Sequence, residues 1–469
     1  MGIEQEFRGV ELGDKRLNDR VVTIAQALME APGESFPKQL KTEAGVEGLY
    51  RLLSHPSANL GPLLSPHVAE TAGRVLERCQ AGQTVLVAHD TTTVTMSTSR
   101  AGLGRVQQEG NQSFFLHTGL AVALREDGTQ VPLGVLHAEP YIREGVPNRK
   151  RKKGHHSERR KAPSRRESAR WFRGARQAQQ ALLEGASVVH VADREADQYT
   201  LLSQLCADEA RFVVRAKHER SGLVRLDAGA ELAPVLRTVE VGERGPRRKG
   251  KHFSKGARKA RKAEVELCGC GYQLTRPTTD AKRREAPAPQ LTLNQVRVQE
   301  VNPPEGVEPV DWTLWTSENI NSSEQLEWVV DCYRARWMVE EFFKALKTGC
   351  AYQSRQLESK ETLFAALGFL LPVAWRLLAL KHLAEADPDA PVNEVLTDAQ
   401  QNVLQRHQAT AKLPLRTAID ALMAVARLGG HLKRNGPPGW QVVSRGFLEL
   451  LSLERGFLLN QNGPSCDLS

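Results

Sequence analysis

Cysteine and long apolar runs are both scarce in this chain. The seven cysteines among 469 residues are scattered, their number is odd, and no pair has zinc-finger spacing, so we expect neither a disulfide framework nor a cysteine-based zinc site. The longest apolar run, 363–375, is too short to span a bilayer and contains Pro372. The acidic segment 1–7 does not have the pattern of a secretory signal. We therefore expect a cytoplasmic protein without a membrane partner, with two or three domains for its length.

The positive charge of the chain is concentrated in two segments. The net charge is +9, from 64 Lys and Arg against 55 Asp and Glu. Residues 143–173 contain 13 basic and 3 acidic residues, and residues 244–262 contain 10 basic residues and no acid, so the remaining chain is acidic overall. Segments of this kind favour binding to a polyanion. The alternative is a pair of disordered charged loops, and a loop that becomes ordered on DNA satisfies both interpretations.

A helix of mixed charge is predicted over residues 333–347. At about 100° per residue, four polar side chains share one face of it: Tyr333, Arg336, Glu340 and Lys347. The carboxylate on this face can hold a metal ion while the phenol and the two cations bind phosphate oxygens. The alternative is a solvated face with ion pairs one turn apart. Glu341 is rotated by about 100° from Glu340 and is not a candidate.

Two acids follow short apolar runs of strand length. Residues 84–88 precede Asp90, and residues 187–192 precede Asp193. We expect both strands to end before their acids, because open α/β sheets keep their site residues at the carboxyl ends of buried strands. The alternative role for a lone Asp at such a position is a helix N-cap, which is the more common one.

The order of the predicted elements is that of a ribonuclease H-like sheet. After the first strand come strands over 115–124 and 131–137, a helix over 164–183, the second acid-bearing strand, a further strand over 211–215 and the late helix. The predicted fold class is α/β, with a mixed ribonuclease H-like sheet. A β-rich insertion over about 220–310 interrupts the sheet domain, and helical domains flank it on both sides.

The same residues carry a resemblance to a known family. The chain resembles the bacterial DDE transposases of the insertion-sequence-four family, whose signature is Tyr, two residues, Arg, three residues, Glu, six residues, Lys. The resemblance extends from about residue 8 to about residue 445. The signature is intact at Tyr333, Arg336, Glu340 and Lys347, and further matching segments are 90–92, 193–197, 211–218 and 302–304.

This resemblance implies a cut-and-paste DNA transposase. Asp90, Asp193 and Glu340 would be its catalytic acids and would hold two Mg²⁺ ions per active site, with Mn²⁺ able to substitute, because such ions prefer carboxylate oxygens. The enzyme would nick each transposon end, form and reopen a hairpin, and join the 3′ ends to target DNA. Its partners would be double-stranded DNA, at the inverted-repeat ends and at the target, and a second subunit in a homodimer.

DNA contacts are expected around the three acids. The side chains that the resemblance assigns to them are Trp312, Arg215, Lys217, Tyr333, Arg336, Lys344 and Lys347. Among them, Trp312 would stack on a base flipped out of the duplex, although a tryptophan in a strand is otherwise usually a core residue.

Three regions are expected from the resemblance. Residues 1–70 would form a helical domain that binds transposon ends, residues 71–375 the catalytic domain with its insertion, and residues 376–469 a helical dimerisation domain. The candidates for end binding in the first region are Lys15, Arg16, Arg20, Lys41, Tyr50 and Arg51. A bacterial transposase would be cytoplasmic and associated with the nucleoid.

Two other functions remain open. One is a different ribonuclease H-like nuclease, which would not need the hairpin residues Trp312, Tyr333 and Arg336. The other is a non-catalytic DNA-binding regulator, which would not need three intact acids.

Overall fold

The structure is a computed structural model of the chain. It describes residues 3–30, 32–96, 100–105, 112–126, 128–142, 167–217, 220, 223–226, 234–241, 248–249, 252–253, 261–278, 287–386, 388–432 and 438–461. Most of both basic segments lies outside these residues, so their predicted role in DNA binding stays a prediction.

Thirteen strands lie within the described residues. They are β1 (Thr84–Thr95), β2 (Gly104–Arg105), β3 (Gln112–Leu124), β4 (Gln130–Tyr141), β5 (Val188–Ala192), β6 (Arg211–Arg215), β7 (Leu223–Arg225), β8 (Val235–Val241), β9 (Arg248–Lys249), β10 (His252–Phe253), β11 (Arg261–Thr275), β12 (Gln290–Glu300) and β13 (Asp311–Thr316). Eleven of them form one sheet, and β9 and β10 form a separate pair.

The sheet has a short parallel centre with antiparallel wings. At the centre, β5 pairs in parallel with β1 and with β6. On one side β3 pairs antiparallel with β1, and β4 and β2 pair with β3. On the other side β13 pairs antiparallel with β6, then β12 with β13 and β11 with β12, while β7 and β8 both pair with β11. The predicted α/β class and mixed sheet are confirmed, and the insertion strands extend the same sheet.

Burial along the strands follows their position in the sheet. All five residues of β5 are buried, as expected for a parallel strand that is covered on both faces. In β12 buried and exposed residues largely alternate, which is typical of an antiparallel strand with one solvated face. The alternating pattern predicted for the insertion is therefore present in its described part.

The first strand is longer than predicted. β1 continues through Asp90 and ends at Thr95, so the expectation that it stops before Asp90 is wrong. The reason is that β3 pairs with β1 along its whole length, up to Thr95 opposite Ser113. The strand β5 does end at Ala192, immediately before Asp193, as predicted.

Twelve α-helices lie within the described residues. They are α1 (Lys15–Glu30), α2 (Phe36–Leu40), α3 (Glu43–Leu53), α4 (Leu60–Gln80), α5 (Arg170–Ala181), α6 (Tyr199–Ala207), α7 (Ser323–Ala335), α8 (Met338–Lys344), α9 (Lys360–Ala386), α10 (Asp398–Arg406), α11 (Ala418–Leu428) and α12 (Trp440–Gln461). Asp14 precedes α1, and its Oδ1 accepts from Arg16 N at 2.7 Å. The predicted domain boundaries near 70 and 375 fall inside α4 and α9 and stay predictions.

The apolar run near residue 370 belongs to a longer helix than expected. The helix α9 continues through Pro372, and the stretch Lys360–His382 is long and apolar enough to cross a membrane. However, 83% of its most apolar window is buried inside the protein. This helix is therefore the central core helix against which α4, β4 and α11 pack.

A buried polar cluster joins the amino-terminal segment to this core. Glu6 accepts hydrogen bonds from His67 Nδ1 at 2.5 Å and from Arg74 Nη1 at 2.9 Å. His67 Nε2 accepts from Val135 N at 3.0 Å, so the imidazole is neutral and its proton lies on Nδ1. The Arg74 guanidinium also stacks on the Trp375 ring at 4.3 Å. The cluster therefore connects the segment before α1 to α4, β4 and α9.

We predict that Glu6→Gln destabilises the fold in a pH-dependent way. Burial of Glu6 opposes ionisation, but the bonds from His67 and Arg74 outweigh it and lower the pKa of Glu6 to about 2 from 4.5. The stabilisation is therefore complete above about pH 4.5 and is lost as the pH falls towards 2. We expect Glu6→Gln to cost about 3 kcal/mol at pH 7, measured by chemical denaturation.

The matched control for this prediction is Glu11→Gln, which changes an exposed acid in the same segment. The difference between wild type and Glu6→Gln should shrink below pH 4.5, whereas Glu11→Gln should match wild type throughout. An equal cost of Glu6→Gln at pH 7 and pH 3 would contradict the assigned role of the ionised carboxylate.

Candidate active site

The pairing of β1 with β5 brings two acids together that are 103 positions apart in the sequence. The last parallel pair in this ladder is His89 opposite Ala192. The next residues on the two strands are Asp90 and Asp193. Because neighbouring strands lie about 4.8 Å apart, these two carboxylates stand side by side where the parallel pairing ends.

Asp90 is the most enclosed of the site acids. Its Oδ1 accepts from Thr91 N at 2.7 Å and its Oδ2 accepts from Arg336 Nη1 at 2.9 Å. Burial raises the pKa of Asp90 to about 6; Arg336 opposes this rise, and the charges of Asp193 and Glu340 add to it. Three carboxylates therefore act on one another at this place.

Arg336 connects the first acid to the third. Its Nη2 donates to Glu340 Oε1 at 2.9 Å, while its Nη1 binds Asp90. The arginine side chain is only 10% exposed. Burial opposes its charge, but the two carboxylates outweigh burial and raise the pKa of Arg336 above its ordinary value. Arg336 is thus a buried cation between two acids.

The signature residues do not lie on one continuous helix, and that prediction is wrong. The helix α7 ends at Ala335 and α8 begins at Met338. Between them Arg336 N donates to Tyr333 O at 3.2 Å, an i to i−3 bond, and such a turn advances by about 120° per residue instead of 100°. A π-helix, Ala345–Gly349, then follows α8. Arg336 and Lys347 nevertheless converge at β1, where Arg336 bonds to Asp90 and Lys347 to Thr92.

Lys347 lies on the same side of β1 as Asp90. Its Nζ donates to Thr92 Oγ1 at 2.6 Å, and Thr92 shares a face of the strand with Asp90 because side chains alternate. Burial lowers the pKa of Lys347, and the charge of Asp90 opposes that shift. The structure therefore brings Lys347 together with the acids.

The three acids fit a divalent cation by type and charge. Carboxylate oxygens are the ligands that Mg²⁺ and Mn²⁺ prefer, and the mutual repulsion at Asp90 would be relieved by a bound cation. Among the described residues, no three His, Cys, Asp or Glu side chains stand ready as ligands of one ion. The Arg336 guanidinium lies between Asp90 and Glu340 instead. Arg336 must therefore leave these two acids before both can hold the same ion.

Two family models match the chain. The model described as transposase DNA-binding matches residues 3–58, and the model described as transposase DDE domain matches residues 173–374. The chain has the two domains of a DDE transposase. DNA is therefore its partner, and its DDE domain is that of an enzyme acting on DNA. Asp193 and Glu340 lie inside the second match, whereas Asp90 lies before it.

An aromatic and cationic group lies beside the acids. The rings of Trp312 and Tyr333 meet edge to face at 5.3 Å. The Arg215 guanidinium lies 5.8 Å from the Trp312 ring and 5.9 Å from the Tyr333 ring, and its Nη1 donates to the Tyr333 hydroxyl at 3.4 Å. Arg336 lies 6.0 Å from the Tyr333 ring. Tyr333 therefore connects Trp312 and Arg215 to Arg336 at the acid centre.

The other two predicted DNA contacts, Lys344 and Lys217, have partners outside this aromatic group. The Lys344 ammonium pairs with Glu341 and lies 5.8 Å from the ring of Trp337, which is 52% exposed. Glu341 in turn accepts from Trp440 Nε1 at 3.2 Å. The side chain of Lys217 is exposed, and its backbone N donates to Asp197 Oδ2 at 2.7 Å. Lys344 thus faces α12, and Lys217 lies beside the turn that follows Asp193.

The candidates in the segment that matches the transposase DNA-binding model all lie at its surface. The exposed set is Lys15, Arg16, Arg20, Lys41, Tyr50 and Arg51. Two of them are paired to acids within the domain: Lys41 with Glu30 and Arg51 with Glu47. Their accessibility agrees with DNA binding but does not single out any one of them.

A row of buried histidines that the sequence patterns did not reveal crosses the sheet at β1. The row crosses four adjacent strands and consists of His190, His89, His117 and His137. Neighbouring rings have centroids 5.2 to 5.8 Å apart, and burial lowers the pKa of each imidazole. They are therefore neutral groups packed under the site. The signal was the position of His89 and His190 within or next to apolar runs.

We predict that Asp90→Asn stabilises the metal-free protein at alkaline pH. Since the pKa of Asp90 in the fold is about 6 and its ordinary value is 3.8, ionised Asp90 disfavours the fold above pH 6, and this penalty is absent below about pH 4. Asparagine removes the charge, so we expect a gain of roughly 1–3 kcal/mol at pH 8, measured by denaturation in EDTA.

The control for this prediction is Asp311→Asn, since the Asp311 side chain is 57% exposed. The gain from Asp90→Asn should fall as the pH is lowered from 8 to 4. A loss of stability at pH 8, or a gain that does not depend on pH, would show that the acid cluster is not under electrostatic strain.

Proposed function

We propose that this protein is a cut-and-paste transposase of the insertion-sequence-four type. It would bind the terminal inverted repeats, excise the element by nicking and hairpin formation, and join the 3′ ends to target DNA. The observation that carries the proposal is the meeting of Asp193 and Glu340 with Asp90 at the end of the β1–β5 ladder. The matches to both transposase domains support it.

The three acids would hold two Mg²⁺ ions, for which Mn²⁺ can substitute. When bound, such ions activate the attacking oxygen and stabilise the leaving oxygen of an in-line phosphoryl transfer. Asp90 and Asp193 are held by hydrogen bonds from nearby backbone N–H groups, Asp90 Oδ1 from Thr91 and Asp193 Oδ1 from Glu195. These bonds leave Asp193 Oδ2 for a cation, and they leave Asp90 Oδ2 for one when Arg336 moves away from it.

Arg336 and Lys347 would bind the DNA backbone beside the acids. In the free protein Arg336 neutralises Asp90 and Glu340. A guanidinium that pairs with carboxylates can pair equally with phosphate oxygens, so bound DNA offers Arg336 a partner outside the acid centre. Lys347, held at Thr92, presents an ammonium to the same region.

Trp312 and Tyr333 would serve the hairpin step. Closing a hairpin bends one strand sharply, and flipping a base out relieves that crowding. Trp312 offers a ring for the flipped base, and its edge contact with Tyr333 and its proximity to Arg215 would fix the orientation of that ring. Arg215, Lys217 and Lys344 would be outer contacts to the same DNA.

The assembly and location of the enzyme form part of the proposal. Residues 1–70 would recognise the inverted repeats, and residues 376–469 would contribute to a homodimer on DNA. A bacterial transposase of this type would be cytoplasmic and associated with the nucleoid.

The decisive experiment uses a linear DNA duplex that contains the transposon end flanking the gene. Purified protein is incubated with it, with and without Mg²⁺ or Mn²⁺, and the products are resolved on a denaturing gel. We expect a metal-dependent nick at the boundary followed by a hairpin. Asp193→Asn and Glu340→Gln should reduce both products by roughly a thousandfold or more, because bound ions contribute several kcal/mol to such transfers, while binding to the duplex is retained.

The matched control is Glu341→Gln. It changes the acid that follows Glu340 in the sequence, and the carboxylate of this acid pairs with Lys344 and Trp440. It should keep both products. Nicking without a hairpin would instead indicate a plain ribonuclease H-like nuclease, and specific binding without any cleavage would indicate a regulator. Either result contradicts the proposal.

A further inference from the structure

Arg170 lies behind the acid centre, on the face of β1 opposite to Asp90. It is the first residue of α5 and only 6% exposed. Its Nε donates to Thr91 Oγ1 at 3.0 Å, its Nη2 to Glu195 Oε2 at 2.9 Å, and its Nη1 to Glu167 O at 3.0 Å. One guanidinium thus binds the residue after Asp90 and a residue close to Asp193.

The two side chains that Arg170 binds belong to the residues that orient the acids. Thr91 N donates to Asp90 Oδ1 at 2.7 Å, and Glu195 N donates to Asp193 Oδ1 at 2.8 Å. Each acid therefore accepts a hydrogen bond from the backbone N–H of a residue whose side chain is bonded to Arg170. A shift of this guanidinium would move both N–H groups.

This link lies where the backbone pairing stops. The parallel ladder ends at His89 and Ala192. Beyond it β1 continues beside β3, while the chain after β5 turns into a short 3₁₀-helix, Arg194–Ala196. The two acid-bearing segments therefore separate just where their carboxylates must keep a fixed distance.

The surroundings hold Arg170 in one orientation. The Thr91 hydroxyl also contacts His117 Nδ1 at 3.0 Å. The guanidinium lies 5.5 Å from the Tyr141 ring and 5.3 Å from the Trp171 ring. The helix can come this close because residue 174 is glycine, where a Cβ would lie 2.7 Å from His117 Nε2.

We propose that Arg170 is a positioning residue that sets the separation and orientation of Asp90 and Asp193 for cation binding. The proposal rests on the metal-dependent function proposed above. Arg170 lies outside both family matches, which end at residue 58 and begin again at residue 173.

A purely structural role accounts poorly for this contact. The Glu195 side chain is 63% exposed, and ion pairs with exposed partners contribute little to stability. The second bond, to Thr91, ends on a strand that is already paired with β3 at that position. The geometry is better explained by alignment of the acids than by stability.

The test measures Mn²⁺ affinity of the full-length protein from the electron paramagnetic resonance signal of free Mn²⁺. Second ligand-shell changes typically weaken metal binding 10- to 100-fold, and we expect this loss for Arg170→Gln. Thr91→Val should show a similar loss and Thr91→Ser should bind as wild type, because serine keeps the hydroxyl. Arg170→Lys should be intermediate, since one ammonium replaces a fork of donors.

Arg176→Gln is the matched control, because Arg176 lies on the same helix and is 59% exposed. It should bind Mn²⁺ as wild type. Melting temperatures are measured alongside; if Arg170→Gln does not fold, Glu195→Ala and Thr91→Val decide, since each removes one bond of the link.

The outcomes separate this proposal from the proposed function. If wild type does not bind Mn²⁺, or Asp193→Asn binds it equally well, the metal-dependent function fails. If Asp193→Asn loses Mn²⁺ while folded Arg170→Gln, Glu195→Ala and Thr91→Val all keep wild-type affinity, the positioning role of Arg170 is overturned and the function stands.

Discussion

Repulsion among three carboxylates is the constraint on which the site depends. The β1–β5 register sets Asp90 beside Asp193, and α8 adds Glu340 to the same place. Buried like charges at such distances disfavour their own ionisation, so the fold must supply cations. Arg336 does so in the free protein by bonding to Asp90 and Glu340. The interrupted helix around Arg336 belongs to this arrangement, since it places a guanidinium between two acids.

The frame around the site is made rigid by buried cations elsewhere. The cluster of Glu6, His67 and Arg74 fixes the amino-terminal segment on α4 and α9. Arg355 is 3% exposed and donates to Pro32 O at 2.6 Å and to Cys350 O at 2.7 Å. It thereby joins the connection between α1 and α2 to the segment that follows the π-helix. The segment that matches the transposase DNA-binding model is thus attached to the rest of the chain at two separate places.

Local patterns predicted the strands, and the acids that follow or lie within them, well. The apolar runs before Asp90 and Asp193 are strands of one sheet, because β-branched residues favour buried parallel strands. The end of β1 was wrong, since the extension depends on β3, a partner that the run itself does not specify. The break after Ala335 was also missed, because residues 333–347 contain no Gly or Pro that would signal it.

The residues that support the site could not be predicted from the sequence. Arg170 lies within a basic segment, and the charge of this segment predicts a surface that binds a polyanion. Only the fold shows that it is buried between Thr91 and Glu195. The histidine row was equally hidden, because it requires the order of four strands that are far apart in the chain.

The most direct measurement is anomalous diffraction at the manganese edge, from crystals of the protein bound to transposon-end DNA and Mn²⁺. The account predicts manganese between Asp90 and Asp193, with Arg336 detached from Asp90 and bonded to a phosphate. Manganese bound elsewhere, for example at the histidine row, or an Arg336 that still bridges Asp90 and Glu340 beside bound DNA, would contradict it.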